Sequence, residues 1–418
     1  MVIWMKFYLI GIKGSGMASL FCMLKDDGYE VIGSDVDYHI YTEEILQQRK
    51  AVILPLSDKT YLNNCFVIIG HDFIEPYIIS DLKKNNIPYL EYHKFLNFYI
   101  NKNKLVSIAG SHGKTTLTSL LAHSINSSYL IGNGNGKMDN NSKYFFLESC
   151  EYKNHYHIYN PNFIIITNID YDHVDYFVTK DEYNLSFKKF ANKVNKGLIE
   201  YNSAKKINNP YFFTYGLDDK ADFHLKKYKI DEEGISGILY FQNRYITSFK
   251  FKKLYGYPLL MDIVALLSFH YLENNNLETI KNRLETYEMT NKRFNILNIN
   301  DIIVIEDYAH HPTQIKENFN TLKSIYKNNK LIAVFKPDRP SRIEYFIKEF
   351  KNSLSLFDKA YILPFNNDEN NDLLAELQTD KITFIKDEKS IKVDGNNIYI
   401  LMSSKSLENV KEHIKSSQ

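Results

Sequence analysis

Leu105-Val-Ser-Ile-Ala109, Gly110-Ser-His-Gly-Lys-Thr-Thr116 and Leu117-Thr-Ser-Leu-Leu-Ala-His123 follow one another directly, as an apolar strand, a small-residue loop and a helix. Such an order wraps backbone N–H groups around an anion and aims the positive end of a helix at it. It also offers Lys114 as a mobile charge and Thr115 as a hydroxyl for magnesium. The stretch predicts an α/β unit that handles a nucleoside triphosphate, with Gly110, Ser111, His112, Gly113, Lys114, Thr115 and Thr116 at the phosphates. Ile108 stands six positions before Lys114, where the full motif has glycine, so the residues alone also describe a glycine turn with an incidental lysine.

Upstream, strand and helix signals alternate from Lys6 to about Phe98. Lys6-Phe-Tyr-Leu-Ile10 leads into a glycine loop, a helix over Met17 to Asp27 and a strand ending at Asp35, with further strands at Ala51–Leu54 and Cys65–Gly70. This alternation builds a parallel sheet with helical crossovers. The loop Gly11-Ile-Lys-Gly-Ser-Gly16 is close to a dinucleotide fingerprint with shifted glycines, or else a tight turn. Asp35, about 20 positions on, sits where a ribose or base contact belongs in such a unit. The run Met1 to Met5 reads as the beginning of the first strand and not as a signal peptide.

Downstream, Tyr144–Glu148 and Phe163–Asn168 are strands that stop at polar residues, so Lys114, Glu148 and the loop after Asn168 can converge at the carboxyl ends of a parallel sheet. Residues 206–252 change texture toward short antiparallel strands, and helices follow over Met261–Leu272 and Leu277–Glu285. A third α/β unit begins near Asn291. Its strands are Ile302–Glu306, Leu331–Phe335, Lys359–Leu363 and Asn397–Met402, and its helices Thr313–Tyr326 and Ile343–Ser353. A short asparagine-rich piece spans Asn366 to Asn371.

The chain has 418 residues, enough for two or three domains, and 51 Lys plus Arg against 50 Asp plus Glu. No global field recruits nucleic acid or an acidic membrane, so any anion is held locally. Cys22, Cys65 and Cys150 are too few and too scattered for a disulfide framework or zinc cluster, and no run of about 18 apolar residues spans a membrane. Together these features predict a cytoplasmic protein.

Four further clusters carry charge at strand ends. In Glu148-Ser-Cys-Glu151 the first carboxylate is the better placed for magnesium; the bland reading is a solvated acidic turn. In Asp170-Tyr-Asp-His-Val-Asp175, His173 is a candidate metal ligand with Asp172 as its outer partner, whereas Asp172 or Asp175 capping the next helix accounts for part of the cluster. Asp307-Tyr-Ala-His-His-Pro312 and Phe335-Lys-Pro-Asp-Arg-Pro-Ser-Arg342 offer His310, Arg339 and Arg342 to a small charged substrate, or are an exposed histidine pair and a solvated basic loop.

Taken together, the ordered motifs at Gly11, Gly110, Glu148, Thr167 and Asp307 resemble those of Mur ligases, in particular the branch that joins L-alanine to UDP-N-acetylmuramate in low-GC Gram-positive bacteria. The resemblance covers about residues 6 to 350. It implies a three-domain enzyme: an N-terminal Rossmann-like domain for the UDP-sugar (1–100), a central ATPase domain with a mostly parallel sheet plus a small antiparallel one (101–289), and a C-terminal Rossmann-like domain (290–418). The implied chemistry is amide formation in peptidoglycan precursor synthesis, using ATP and Mg2+ and proceeding through an acyl phosphate, by a monomer or homodimer.

By matching motifs, Lys114 meets the β- and γ-phosphates, Thr115 and Glu148 serve one magnesium and His173 a second. Gly14, Ser15, Gly16, Ser34 and Asp35 hold the UDP part. Arg293, Asp307, His310, Arg339 and Arg342 handle nucleotide and amino acid. The chain departs from the family pattern at Gly256-Tyr-Pro-Leu259 and Asp262, where asparagines are usual and adenine is read, at Asp338, where histidine is usual, and at Met402-Ser-Ser-Lys405, where a glycine-rich turn is usual. A sister ligase adding another amino acid or a peptide, and a non-catalytic UDP-sugar binder, are the alternative readings.

Overall fold

The structure is a computed structural model that describes residues 6–58, 64–100, 103–289, 293–365 and 371–417. Met1 to Met5, the start of the third unit at Asn291 and most of the asparagine-rich piece lie outside the described residues. The architecture is α/β, with three domains built on mostly parallel sheets.

The first sheet is wholly parallel in the order β3-β2-β1-β4-β5, from β1 (Lys6–Ile10), β2 (Glu30–Asp35), β3 (Val52–Pro55), β4 (Cys65–Ile69) and β5 (Tyr89–Glu91). Strand order reverses between β1 and β4, which opens a crevice at their carboxyl ends. The helix after β1 runs Ser15–Asp26 and so includes Ser15 and Gly16, two positions earlier than the apolar spacing suggested.

Around the phosphate loop run β6 (Lys104–Ala109), β7 (Ser128–Leu130), β8 (Gly136–Lys137), β9 (Tyr144–Glu148), β10 (Phe163–Ile166) and β11 (Gly197–Glu200), with β6 between β10 and β9. All four residues of β10, Phe-Ile-Ile-Ile, are buried, as expected of a parallel strand covered on both faces. The chain then passes through β12 (Phe212–Gly216) into an antiparallel meander of β13 (Phe223–Asp231), β14 (Gly234–Phe241) and β15 (Arg244–Lys252). On β15 buried and exposed residues alternate, the signature of a sheet with one wet face.

The third sheet has the order β16-β17-β21-β18-β19-β20, from β16 (Asn295–Ile299), β17 (Ile302–Asp307), β18 (Leu331–Phe335), β19 (Lys359–Ile362), β20 (Ile382–Phe384) and β21 (Ile398–Met402). Only the β16–β17 pair is antiparallel among its described pairings. The single helix expected over Ile343–Ser353 is two, Pro340–Tyr345 and Ile347–Leu354. Phe346 lies between them at φ −106° and ψ 26°, a buried ring packed on Tyr345, Tyr171 and His311.

By packing density the chain divides into two units, Met1–Ile169 with Leu185–Phe213, and Asp170–Asn184 with Thr214–Gln418. Among the described residues no helix is long and apolar enough to cross a membrane.

Candidate active site

In the first unit, the glycine loop after β1 closes on its own neighbours. Gly11 and Ile12 donate their N–H groups to the Ser34 carbonyl at 2.8 and 3.3 Å, and Lys13 N–H donates to Asp35 Oδ2 at 2.6 Å. Asp35 also accepts from Val36 N–H at 2.7 Å and is buried; burial raises its pKa against the opposing pull of those hydrogen bonds. The carboxylate expected to meet a ribose therefore holds the loop backbone. Gly14, Ser15 and Gly16 remain at the accessible N-terminus of the following helix, Gly14 exposed and the other two half-buried.

The second loop is shaped by glycine. Gly110 has φ +139° and Gly113 φ +82°, conformations that L side chains rarely adopt, and Gly113 caps the helix Lys114–Ser124. Asn168 fastens the loop from the neighbouring strand end: its Oδ1 accepts from His112 N–H at 3.0 Å, its Nδ2 donates to the His112 carbonyl at 3.0 Å, and its carbonyl accepts from Ser111 N–H at 3.2 Å. Thr167 Oγ1 adds a hydrogen bond to the His112 carbonyl. Thr167 and Asn168 thus hold the phosphate loop, a part that the sequence motif alone did not suggest.

Three of the residues singled out from sequence meet here. Thr115 Oγ1 donates to Glu148 Oε1 at 3.0 Å, and Gly132 N–H donates to the other carboxylate oxygen at 2.7 Å. Lys114 Nζ donates to the carbonyls of Gly110 and Ser111, and forms a 2.8 Å ion pair with Glu151. Thr116 is buried in the first turn of the helix. Glu151, ranked below Glu148 on sequence, is fully buried and is the carboxylate that faces the lysine. Burial, the largest influence, pushes the Lys114 pKa down, but the charges of Glu151, Cys150 and Glu148 together with the Glu151 hydrogen bond outweigh it, the net shift is upward and the ammonium stays charged.

The second unit holds the remaining candidates in two groups. His173 lies at φ +54°, and its N–H donates to Asp172 Oδ1 at 2.7 Å. Asp172 also feels the His173 charge and binds an arginine. Its two oxygens take Arg342 Nε and Nη2 at 2.9 and 3.1 Å, both side chains being 4% exposed, and Arg342 Nη1 reaches Asp338 at 2.6 Å. Burial alone would raise the Asp172 pKa; the Arg342 guanidinium, with His173 and the hydrogen bonds, holds it well below the usual carboxylate range.

Further fastenings flank this pair. Asp175 pairs with Arg339 at 3.1 Å, Thr313 Oγ1 donates to Asp170 at 2.5 Å, and the Tyr171 ring packs edge-on against Tyr345 at 5.3 Å. Neither Asp172 nor Asp175 caps the next helix. That role falls to Thr179, which accepts from Glu182 N–H at 3.2 Å while Glu182 accepts from Val178 N–H at 3.0 Å. Arg339 and Arg342 are thus occupied by carboxylates of their own chain. The spacing of Asp338 and Arg342, four residues, was a readable signal.

The second group gathers Arg293, Asp307 and His310. The Arg293 guanidinium lies 4.6 Å from the centre of the Tyr308 ring, and its charge acts on both Asp307 and Asp262. Asp307 accepts from Phe294 N–H, Ala309 N–H and Asn318 Nδ2 within 2.9 Å, and burial raises its pKa. His310 Nδ1 lies 3.0 Å from the Tyr308 carbonyl. Its neighbour His311 is not an exposed residue but a buried one, and it caps the helix Pro312–Ile325 in a capping box with Gln314. Asp262 is buried in the helix Tyr257–Leu272, which Gly256 caps at φ +107°; desolvation raises its pKa well above normal.

Three family models match the chain in succession: the Mur ligase family catalytic domain over residues 6–104, the Mur ligase middle domain over 108–256, and the Mur ligase glutamate ligase domain over 292–394. Among solved structures, the chain is similar to UDP-N-acetylmuramate-alanine ligase MurC from Thermotoga maritima, at 20% identity and a TM-score of 0.81 over 98% of each chain. It is also similar to a murein peptide ligase from Psychrobacter arcticus, at 17% identity and a TM-score of 0.69 over 99% of this chain and 98% of that one. MurF ligase from Thermotoga maritima in complex with ADP matches at 15% identity and a TM-score of 0.63, over 93% and 94% of the two chains. With a phosphate loop, an acidic strand end and three consecutive domains of one ligase family, the protein belongs to the Mur ligase family of ATP-dependent peptidoglycan precursor ligases.

Proposed function

We propose that the protein joins L-alanine to the lactyl carboxylate of UDP-N-acetylmuramate, splitting ATP to ADP and phosphate. The observation that carries this reading is the convergence of Lys114, Thr115 and Glu148 at the ends of β6 and β9. A carboxylate is a poor acylating agent, so a phosphoryl group must first be moved onto it, and two anions have to approach each other. Lys114 offsets that repulsion at the β- and γ-phosphates, while the loop N–H groups and the helix N-terminus hold the triphosphate in place.

A hydroxyl and a carboxylate oxygen 3.0 Å apart are the hard donors that magnesium accepts, and Gly132 N–H fixes the carboxylate's orientation. Thr115 and Glu148 would hold the ion, which supplies further charge neutralisation at the phosphates when bound. The sugar carboxylate oxygen attacks the γ-phosphorus and ADP departs. The amine of alanine then attacks the acyl carbon, and phosphate leaves as the amide forms. Gly14, Ser15 and Gly16 are assigned to the UDP part, Arg293, Asp307 and His310 to nucleotide and amino acid, and His173 to a second magnesium. Arg339, which meets Asp175 through Nη1 alone, and Arg342, which gives three of its five N–H groups to Asp172 and Asp338, are assigned to nucleotide and amino acid as well.

Purified protein supplied with UDP-N-acetylmuramate, L-alanine and ATP should release phosphate only when all three are present. Release without alanine, or none, would sink the assignment. Likeness to the murein peptide ligase supports a second reading, attachment of another amino acid or a peptide to the same carboxylate, and a panel of amino acids and tripeptide separates the two. The Gly256-Tyr-Pro-Leu259 helix start with buried Asp262 supports a third, a non-catalytic UDP-sugar binder, which requires that ATP not bind at millimolar concentration.

A further inference from the structure

Glu151 is a buried charge that the proposed mechanism does not use. Glu151 is 0% exposed, lies three residues beyond the carboxylate assigned to magnesium, and sits 2.8 Å from the ammonium that has to reach the phosphates. An ammonium has three donors. Those of Lys114 go to the Gly110 carbonyl, the Ser111 carbonyl and Glu151, so a phosphate oxygen can be reached only by releasing one of them.

Glu151 cannot follow the lysine outward. It opens the turn Tyr152–Ile158, its carbonyl accepts from Asn154 N–H at 2.9 Å, and Tyr156 N–H donates to the Cys150 carbonyl at 3.1 Å. Tyr156 is itself buried, its hydroxyl 2.8 Å from Ser186 Oγ and its ring stacked 4.2 Å from Phe190. Just before the turn, Ser149 N–H donates to the Ile108 carbonyl at 2.8 Å and ties the end of β9 to β6. The backbone that carries the carboxylate is therefore fixed, and the lysine, on the longer stem, is the part with reach toward the phosphates.

We infer that Glu151 is a positioning residue for Lys114, holding the lysine ready in the nucleotide-free protein and setting how tightly the loop takes a nucleoside triphosphate by competing with phosphate for the same ammonium. The inference rests on the reading of this loop as an ATP site. If the lysine leaves Glu151, the lost charge-assisted bond opposes binding. If it stays and bridges, an uncompensated negative charge stands beside the triphosphate. Both routes give the same sign: removing the carboxylate charge tightens ATP binding, while the lysine, no longer aimed, serves phosphoryl transfer less well.

The test is calorimetric titration of the whole protein with ATP, with and without Mg2+, for wild type, Glu151→Gln and Glu151→Asp. Glu151→Gln should bind ATP about tenfold more tightly, the size of one charge-assisted hydrogen bond, with a lower Tm in the absence of nucleotide and a larger upward shift of Tm on adding ATP. In turnover, KM for ATP and kcat should both fall. Glu151→Asp retains the charge at a shorter reach and should tighten binding less, and it carries the test alone if the glutamine variant does not fold. Affinity that weakens or stays the same in the folded variants overturns the inference. A wild-type protein that binds no ATP at millimolar concentration overturns the site assignment instead.

Discussion

Two buried ion pairs, one in each unit, use opposite chemistry for opposite ends. Lys114 meets Glu151 through a single contact from a flexible stem, beside the loop proposed to receive a triphosphate. Arg342 grips Asp172 with two parallel N–H bonds and adds Asp338 with a third, so that three N–H groups of a planar fork are engaged within its own chain. A lysine pair is a point charge that can be handed from one acceptor to another; a forked arginine pair fixes geometry. The first suits a residue that must move during a reaction, and the second a loop that must not.

This contrast can be broken by experiment. The largest effect is expected from Arg342→Ala, which leaves Asp172 buried without its guanidinium and should cost about 3–5 kcal/mol of stability in a denaturant titration. The half-exposed Arg339–Asp175 pair provides the internal control, and Arg339→Ala should cost at most about 1 kcal/mol. Equal losses in the two variants would mean that burial does not distinguish them.

Next comes Lys114→Ala, expected to lower kcat about 10²- to 10³-fold in the three-substrate phosphate-release assay, as loss of a charge-stabilising donor does elsewhere. Turnover at the wild-type rate would remove the lysine from the chemistry. Smallest is a pH effect. The folded-state pKa of Asp172 is depressed, so its pairing stabilises the protein fully above the unfolded value of about 3.9 and is lost as pH falls through the lower folded value. Thermal melts on acidification below about pH 4 should show the wild type losing more stability than Asp172→Asn; parallel curves would deny the pair its role.

Much of this was readable along the chain, for reasons that particular residues make plain. β10 is a run of Phe-Ile-Ile-Ile because both its faces are covered, and such runs are legible. By contrast β13 carries Lys226-Lys-Tyr-Lys229 with a register shift between Lys226 and Lys229, and it hid in a charged stretch. β5, β7 and β8, of three, three and two residues, were too short to register as periodic. Lys114, Thr115 and Glu148 could be nominated because loop and strand-end positions follow from local order.

The choice between the carboxylates of Glu148-Ser-Cys-Glu151 could not be made that way. Where the chain turns after β9 decides which one meets the hydroxyl and which the ammonium, and that turn is set by packing around Tyr156. Likewise Arg342 looked like a free cation on a basic loop until folding brought it to Asp172, 170 residues away. Sequence alone determined the succession of α/β units and the small-residue loop between β6 and its helix, because hydrophobic runs and small-residue turns act over neighbouring positions. The tertiary structure alone decided which charge faces which, because an ion pair depends on distance in space and on burial, and neither is written in chain order.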